Sequence, residues 1–271
     1  MKLCSFTDGS SARLGYLAGD DVVELDSPTL IEFFEAGGEW RAVQTHRRAD
    51  IRLLSPVPKP PSIRDFYAFE EHVRNARRNR GEEVPPAWYD APAFYFSNPA
   101  AVYGPEDEIP YPQGSDALDY ELEAAAVVGA DGRIGGFTIM NDWSARDLQA
   151  KEMRVGLGPA KGKDFATSLG PVVVTPDEFD GSAGEMVARV NGEERSRGNL
   201  RDLHWPWSAI LEHAGRNTVL RPGDVIGSGT VGTGCILEHG DRRWLQPGDF
   251  VELELEGIGI LTNRIAAPRN A

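Results

Sequence analysis

The run Phe137-Thr138-Ile139-Met140-Asn141-Asp142-Trp143-Ser144-Ala145-Arg146-Asp147-Leu148-Gln149 begins as an apolar strand and ends as a helix. Its first four residues are apolar or β-branched, and Ser144 stands where a helix N-cap is wanted, ahead of a polar segment that runs to about Arg154. Asp142 therefore falls at a strand end. Arg146 and Gln149, three apart on the expected helix, point the same way.

Upstream, Asp119-Tyr120-Glu121-Leu122-Glu123 alternates acid and apolar. On a strand, the three acids share one face and Tyr120 and Leu122 the other. A bare Glu-x-Glu also describes a solvated strand face, and the chain carries its own control in Glu252, Glu254 and Glu256, read as solvated. The first pair differs in having Asp142 at the end of the next apolar strand. Glu121, Glu123 and Asp142 brought to one point would repel one another. They would need a hard divalent cation, which takes oxygen ligands and leaves positions open for water or substrate.

Farther out, short β-like runs between Lys2 and Leu25 are broken at Asp8-Gly9 and Gly19-Asp20-Asp21. Thr29 caps a helix from Leu30 to Glu35 that Gly37-Gly38 stops, and a second short helix is expected up to His46. Pro56, Pro58, Pro60 and Pro61 form a stiff connector, so a small N-terminal unit is placed at 1–60 and the main domain at 61–271. In the second part a helix is expected over Glu70 to Arg80, its Arg74, Arg77, Arg78 and Arg80 forming a solvated face, and 84–112 is too irregular for packed helices. Strands are expected at Tyr120 to Val128, Phe137 to Asn141, Pro171 to Val174, Met186 to Asn191, Asp224 to Gly227 and Phe250 to Leu261, with a last helix from Pro206 to Ala214. The fold class is α+β and strand-dominated.

The 271 residues carry a formal net charge of −14, with 41% hydrophobic and 26% charged residues. A globular chain of this length buries a core without disulfides, and its two cysteines, Cys4 and Cys235, form no CxxC pair. Its charge disfavours nucleic acid and anionic membrane surfaces, and no uninterrupted apolar window is long enough to span a bilayer. The N-terminus lacks the pattern of a signal peptide, so the expected location is cytoplasmic. Lys163, at the end of the Gly/Pro-rich loop 156–162, by its position alone reads as pointing to solvent more often than into a site; His72 is a lone histidine at a helix start, and His46, His204, His213 and His239 read as structural or surface.

Taken in order, Asp65-Phe66-Tyr67 with His72, Glu121-Leu122-Glu123, the run Asn141 to Gln149, Gly162-Lys163-Asp164-Phe165, and Ser228-Gly229-Thr230 followed by Glu238 resemble the fumarylacetoacetate hydrolase family over about residues 55 to 265. The resemblance implies a mixed β-sandwich roll with a small N-terminal α/β subdomain, assembled as a homodimer around a divalent metal, with Mg²⁺ expected and Mn²⁺ or Ca²⁺ as alternatives. It implies Asp65, Glu121, Glu123 and Asp142 as ligands, His72 as general base and Glu238 as the acid that orients it. Lys163, Arg146, Gln149 and Thr230 would be oxyanion or substrate contacts, and Tyr67 a substrate contact. The implied activity is hydrolysis of a carbon–carbon bond in a 1,3-diketo acid. The alternatives are a metal-dependent decarboxylase or isomerase of 2-oxo acids on the same scaffold, and a non-catalytic β-domain whose acids are solvated.

Overall fold

The computed structural model describes residues 1–79 and 81–268, so Arg80 of the arginine run lies outside the described residues. The strands are β1 (Lys2–Thr7), β2 (Arg13–Ala18), β3 (Asp21–Leu25), β4 (Ala42–Arg47), β5 (Arg52–Leu53), β6 (Ile63–Phe66), β7 (Phe94–Ser97), β8 (Val102–Tyr103), β9 (Glu108–Ile109), β10 (Leu118–Asp119), β11 (Leu122–Val128), β12 (Ile134–Asp142), β13 (Ser144–Ala145), β14 (Thr167–Val174), β15 (Glu185–Val190), β16 (Glu193–Asn199), β17 (Val225–Gly227), β18 (Phe250–Leu255) and β19 (Gly259–Ile265). The helices are α1 (Leu30–Glu35), α2 (Glu70–Arg78), α3 (Arg146–Met153) and α4 (Trp207–Gly215).

Among the described residues these strands build a 12-stranded mixed sheet of order β4-β3-β2-β1-β14-β12-β11-β17-β6-β7, with β5 on β1 and β8 on β14. A 5-stranded sheet, β16-β15-β18-β19-β9, packs against it. The large sheet is covered on both faces, which explains the uniformly buried β11, apolar except for Glu123. Ala124, Ala126 and Val128 join a core with Phe137, Ile139, Met186, Leu253 and Ile210, whereas Ala125 and Val127 join a second core with Leu3, Phe33, Phe34, Ile63 and Met140. The control acids behave as read: on β18, Val251, Leu253 and Leu255 point inward, and Glu252 and Glu254 are only half-buried.

Three local expectations are corrected. The segment expected to be a second helix is β4, an edge strand whose Val22↔His46 and Asp21↔Arg47 pairs tie it to β3, with His46 Nε2 2.7 Å from Glu24 Oε2. Antiparallel pairing with β3, across the intervening α1, outweighs the local propensity there. Ser144 does not cap α3: with Ala145 it pairs with Leu118 and Asp119, its hydroxyl donates to the Asp142 carbonyl at 3.0 Å, and Ala145 holds the N-cap position without a side-chain cap. The long C-terminal strand is a hairpin, β18–β19, turned at Gly257 with φ 90°. Thr29, by contrast, caps α1 as expected, accepting from Glu32 N at 3.2 Å.

Across the Pro56–Pro61 connector the sheet is continuous, because β1 pairs with β14 and β17 pairs in parallel with β6. The irregular 84–112 stretch supplies β7 to the sheet edge, where it pairs with β6.

Phe137 is 2% exposed and packs against Phe179 and Trp207 with ring centroids 5.7 and 5.3 Å away. Phe137→Ala is expected to cost about 3–5 kcal/mol in urea unfolding with an unchanged m-value, since it leaves a cavity between the sheet and α4.

Candidate active site

Asp65 on β6, Glu121 just before β11, Glu123 within β11 and Asp142 at the end of β12 are all buried, and each offers an oxygen within 4.8 Å of the others. Register brings them together. Glu123 lies opposite Met140 on β12, and Ala125 lies opposite Gly227 on β17, which in turn pairs with Asp65. Gly227 has no side chain because there is no room for one: a Cβ there would stand 2.7 Å from Asp65 Oδ1 and 3.1 Å from Glu123 Oε2.

Each acid has its own partners. The Lys163 ammonium contacts Glu121 Oε2 and, at 2.5 Å, Asp142 Oδ2. Arg146 gives Nε to Asp119 at 2.7 Å, one terminal nitrogen to Glu121 Oε1 at 2.7 Å, and the other to Gln149 Oε1 at 3.1 Å. Asn141 Oδ1 accepts from the Glu121 amide at 2.9 Å. Glu123 accepts from Gly229 N at 3.1 Å and the Thr230 hydroxyl at 3.3 Å, so the Ser-Gly-Thr loop closes on the ligand cluster.

Two oxygens of the cluster, Asp65 Oδ1 and Asp142 Oδ1, have no hydrogen-bond partner among the described residues. Burial pushes the Asp65 carboxyl well up, helped by the charge of Asp142; burial and neighbouring Asp65 do the same to Glu123. Asp142 is also raised, by burial against the pull of Lys163. At Glu121 burial acts upward too, but Lys163 and Arg146 outweigh it and hold that carboxyl well below its usual range. Buried carboxylates that repel one another, with two orphaned oxygens and only hard donors, fit a divalent cation of the Mg²⁺, Mn²⁺ or Ca²⁺ kind.

Beside the cluster stands a second constellation. His72, on α2, places Nδ1 2.7 Å from Glu238 Oε1. Glu238 also accepts from Asn75 Nδ2 at 2.8 Å and Thr233 N at 3.0 Å, and Cys235 Sγ lies 3.5 Å from it. Burial works against the Glu238 charge, but the neighbouring imidazole prevails and lowers its carboxyl below the usual range. Tyr67 stands edge-on to the His72 ring at 5.3 Å.

The structure thus gathers every candidate residue named from the sequence into one region. Several contacts differ from the local expectation. Lys163, whose place at the end of a Gly/Pro-rich loop favoured solvent, is instead buried, 4% exposed. Arg146 pairs with Asp119 and Glu121, not with its chain neighbour Asp147. Asp119 leaves the acid face: the chain breaks strand pairing at Tyr120-Glu121, and its carboxylate turns to Arg146 and the amides of Ile236 and Leu237 at 2.7 and 3.0 Å.

Tyr95 went unread in the sequence. Its hydroxyl donates to Asp142 Oδ2 at 2.5 Å, and its ring lies 5.9 Å from Lys163 Nζ. The alternation Phe94-Tyr95-Phe96 marks two faces, but only the pairing of Asp65 with Tyr95 says which face meets the cluster.

Residues 62–266 match the family model described as fumarylacetoacetate (FAA) hydrolase C-terminal. The chain belongs to the fumarylacetoacetate hydrolase family. It is an enzyme of that superfamily. Among relatives, an oxaloacetate tautomerase of Bos taurus is 29% identical, over 91% of this chain and 84% of that protein. The family fold is seen in a fumarylacetoacetate hydrolase from Exiguobacterium antarcticum, with TM-score 0.80, 28% identity and coverage of 98% and 99% of the two chains. A 5-carboxymethyl-2-hydroxymuconate delta-isomerase from Mycobacterium smegmatis superposes with TM-score 0.78 at 28% identity, covering 98% of this chain and 99% of that one.

Gly227→Ala is expected to push Asp65 and Glu123 apart. Calorimetric titration with Mn²⁺ should show affinity reduced about tenfold or more, the scale of a displaced ligand shell. Glu123→Ala should abolish that binding while leaving the far-ultraviolet circular dichroism intact.

Proposed function

We propose that the protein is a divalent-metal-dependent enzyme of small 2-oxo acids whose central event is proton transfer next to the 2-oxo group, with keto–enol tautomerisation or isomerisation as the overall reaction. The observation that carries this reading is the buried His72–Glu238 pair, a carboxylate-tethered imidazole beside a cluster of four carboxylates. Asp65, Glu121, Glu123 and Asp142 would hold Mg²⁺, Mn²⁺ or Ca²⁺, which when bound supplies a Lewis acid for the substrate's oxygens.

The chain's own residues do the rest. Glu238, fixed by Asn75 and Thr233, engages Nδ1 and leaves Nε2 of His72 to take and return a proton. Lys163 keeps Glu121 and Asp142 charged at close quarters, and Arg146, braced by Gln149 and Asp119, fixes Glu121 from behind. Thr230 and Gly229 orient Glu123. Tyr67 flanks the base and is assigned to the substrate's edge.

Hydrolytic carbon–carbon cleavage of a 1,3-diketo acid is the second reading. It is favoured by the same His72–Glu238 pair, which can equally take a proton from water, and by the likeness to the Exiguobacterium hydrolase. It also asks for donors free to receive an oxyanion at the second carbonyl. Arg146 gives three of its five N–H donors, and Lys163 two of its three, to side chains of the chain itself, so few are left for that task. Tautomerisation makes no such demand, and the bovine relative is named for it.

The test follows enol absorbance and carbon products together, with Mg²⁺ present. Enol oxaloacetate should convert to its keto form with the carbon skeleton intact by NMR. Appearance of two acids, or of an acid and a ketone, from an acylpyruvate would move the assignment to hydrolysis, and release of CO₂ matching substrate loss would move it to decarboxylation. His72→Ala should lower kcat by about 10²–10⁴ with Mn²⁺ affinity unchanged; near wild-type turnover would remove His72 from the mechanism.

A further inference from the structure

The sheet edge that carries Asp65 has a concavity on its other side. Along β6 and β7 the residues alternate: Asp65 pairs with Tyr95 on the face of the carboxylate cluster, whereas Arg64 pairs with Phe96 and Phe66 with Phe94 on the opposite face. There, with His213 of α4 and the residues after that helix, they enclose a cavity of about 320 Å³ lined by Arg64, Phe94, Phe96, His213, Arg216 and Thr218 among others.

Its chemistry is unusual for this chain. None of the lining residues is acidic, on a protein of net charge −14. Arg64 is 6% exposed, donates to Ser62 Oγ at 2.6 Å and lies 3.7 Å from Asp224. Asp224 forms a buried ion pair with Arg64 at that distance and also accepts from the Ser62 hydroxyl and the Arg221 amide at 2.6 and 2.8 Å. Among the described residues, Arg64 Nε and His213 Nδ1 have no hydrogen-bond partner. The guanidinium sits 5.1 Å from the centroid of Phe96, an aromatic ring left 63% exposed.

We infer that this cavity binds a small organic carboxylate with a flat apolar body. A carboxylate is acceptor-only and matches the guanidinium fork, which here lacks a full set of acceptors. The two phenylalanine rings offer walls to a planar body, and the volume lies at the small end of ligand pockets. A compact inorganic anion would satisfy the arginine but not the aromatic walls. The site is separate from the carboxylate cluster, since strand alternation puts the two on opposite faces of the sheet.

Benzoate serves as the probe, titrated calorimetrically into the full chain in the presence of Mg²⁺. Saturable binding with Kd on the order of 1 mM is expected for so small a ligand, with none for inorganic phosphate. Phe96→Ala, at an exposed position that leaves the core intact, and Arg64→Met should each weaken it by about tenfold. Glu123→Ala, on the other face, should leave it unchanged. Four results would overturn the assignment: no saturable heat; phosphate binding as well as benzoate; benzoate binding that survives Phe96→Ala but is lost with Glu123→Ala, which would put it on the cation; or a fall in the light-scattering mass of Phe96→Ala, which would make the face an interface between two copies.

Discussion

Four carboxylates buried within 4.8 Å of one another are the constraint around which this molecule is arranged. Like charges at that spacing are costly to hold in a low-dielectric interior, and Lys163, in contact with two of them, offsets only part of the repulsion. The imbalance suits the cluster to a cation. It also accounts for the surrounding framework of donors: Arg146 and Asn141 on Glu121, Tyr95 and Lys163 on Asp142, Gly229 and Thr230 on Glu123.

Such a cluster requires a scaffold that does not relax when the charges push. The large sheet supplies it. Glu123, Asp142 and Asp65 belong to strands locked by backbone pairing and packed on both faces, so their separation is set by register. Gly227 shows how tightly: the strand between Ala125 and Asp65 has been stripped of its side chain where the acids converge. The cluster is thereby built on strands, and the more irregular segments, 160–165 and 228–238, bring Lys163 against two of its carboxylates and Glu238 against His72.

Asp119 links these two tasks. It is fully buried, holds Arg146 from one side and receives the amides of Ile236 and Leu237 from the other, directly ahead of Glu238. Burial raises its carboxyl against the pull of Arg146. Through this one side chain the bracket behind Glu121 and the turn that carries the partner of His72 share an anchor, so the cluster and the His72–Glu238 pair are positioned together.

The sequence by itself determined the strand-dominated α+β class, the convergence of Glu121, Glu123 and Asp142, and the family. Those rest on local periodicity and on a dense, ordered run of unusual residues, which survive without knowledge of distant partners. It also separated the solvated acids of β18 from the buried ones before β12, because an acid at the following strand end is visible in the chain. Tertiary structure alone decided the rest. The β4 edge strand, the true partners of Arg146, the burial of Lys163 and the role of Tyr95 all depend on which strand lies beside which, and pairing between residues tens of positions apart leaves no mark in local sequence. The same reason put Arg64 and Asp65, neighbours in the chain, on opposite faces of one sheet with opposite chemistry: a period of two sends adjacent side chains apart, and only the packed sheet says what waits on either side.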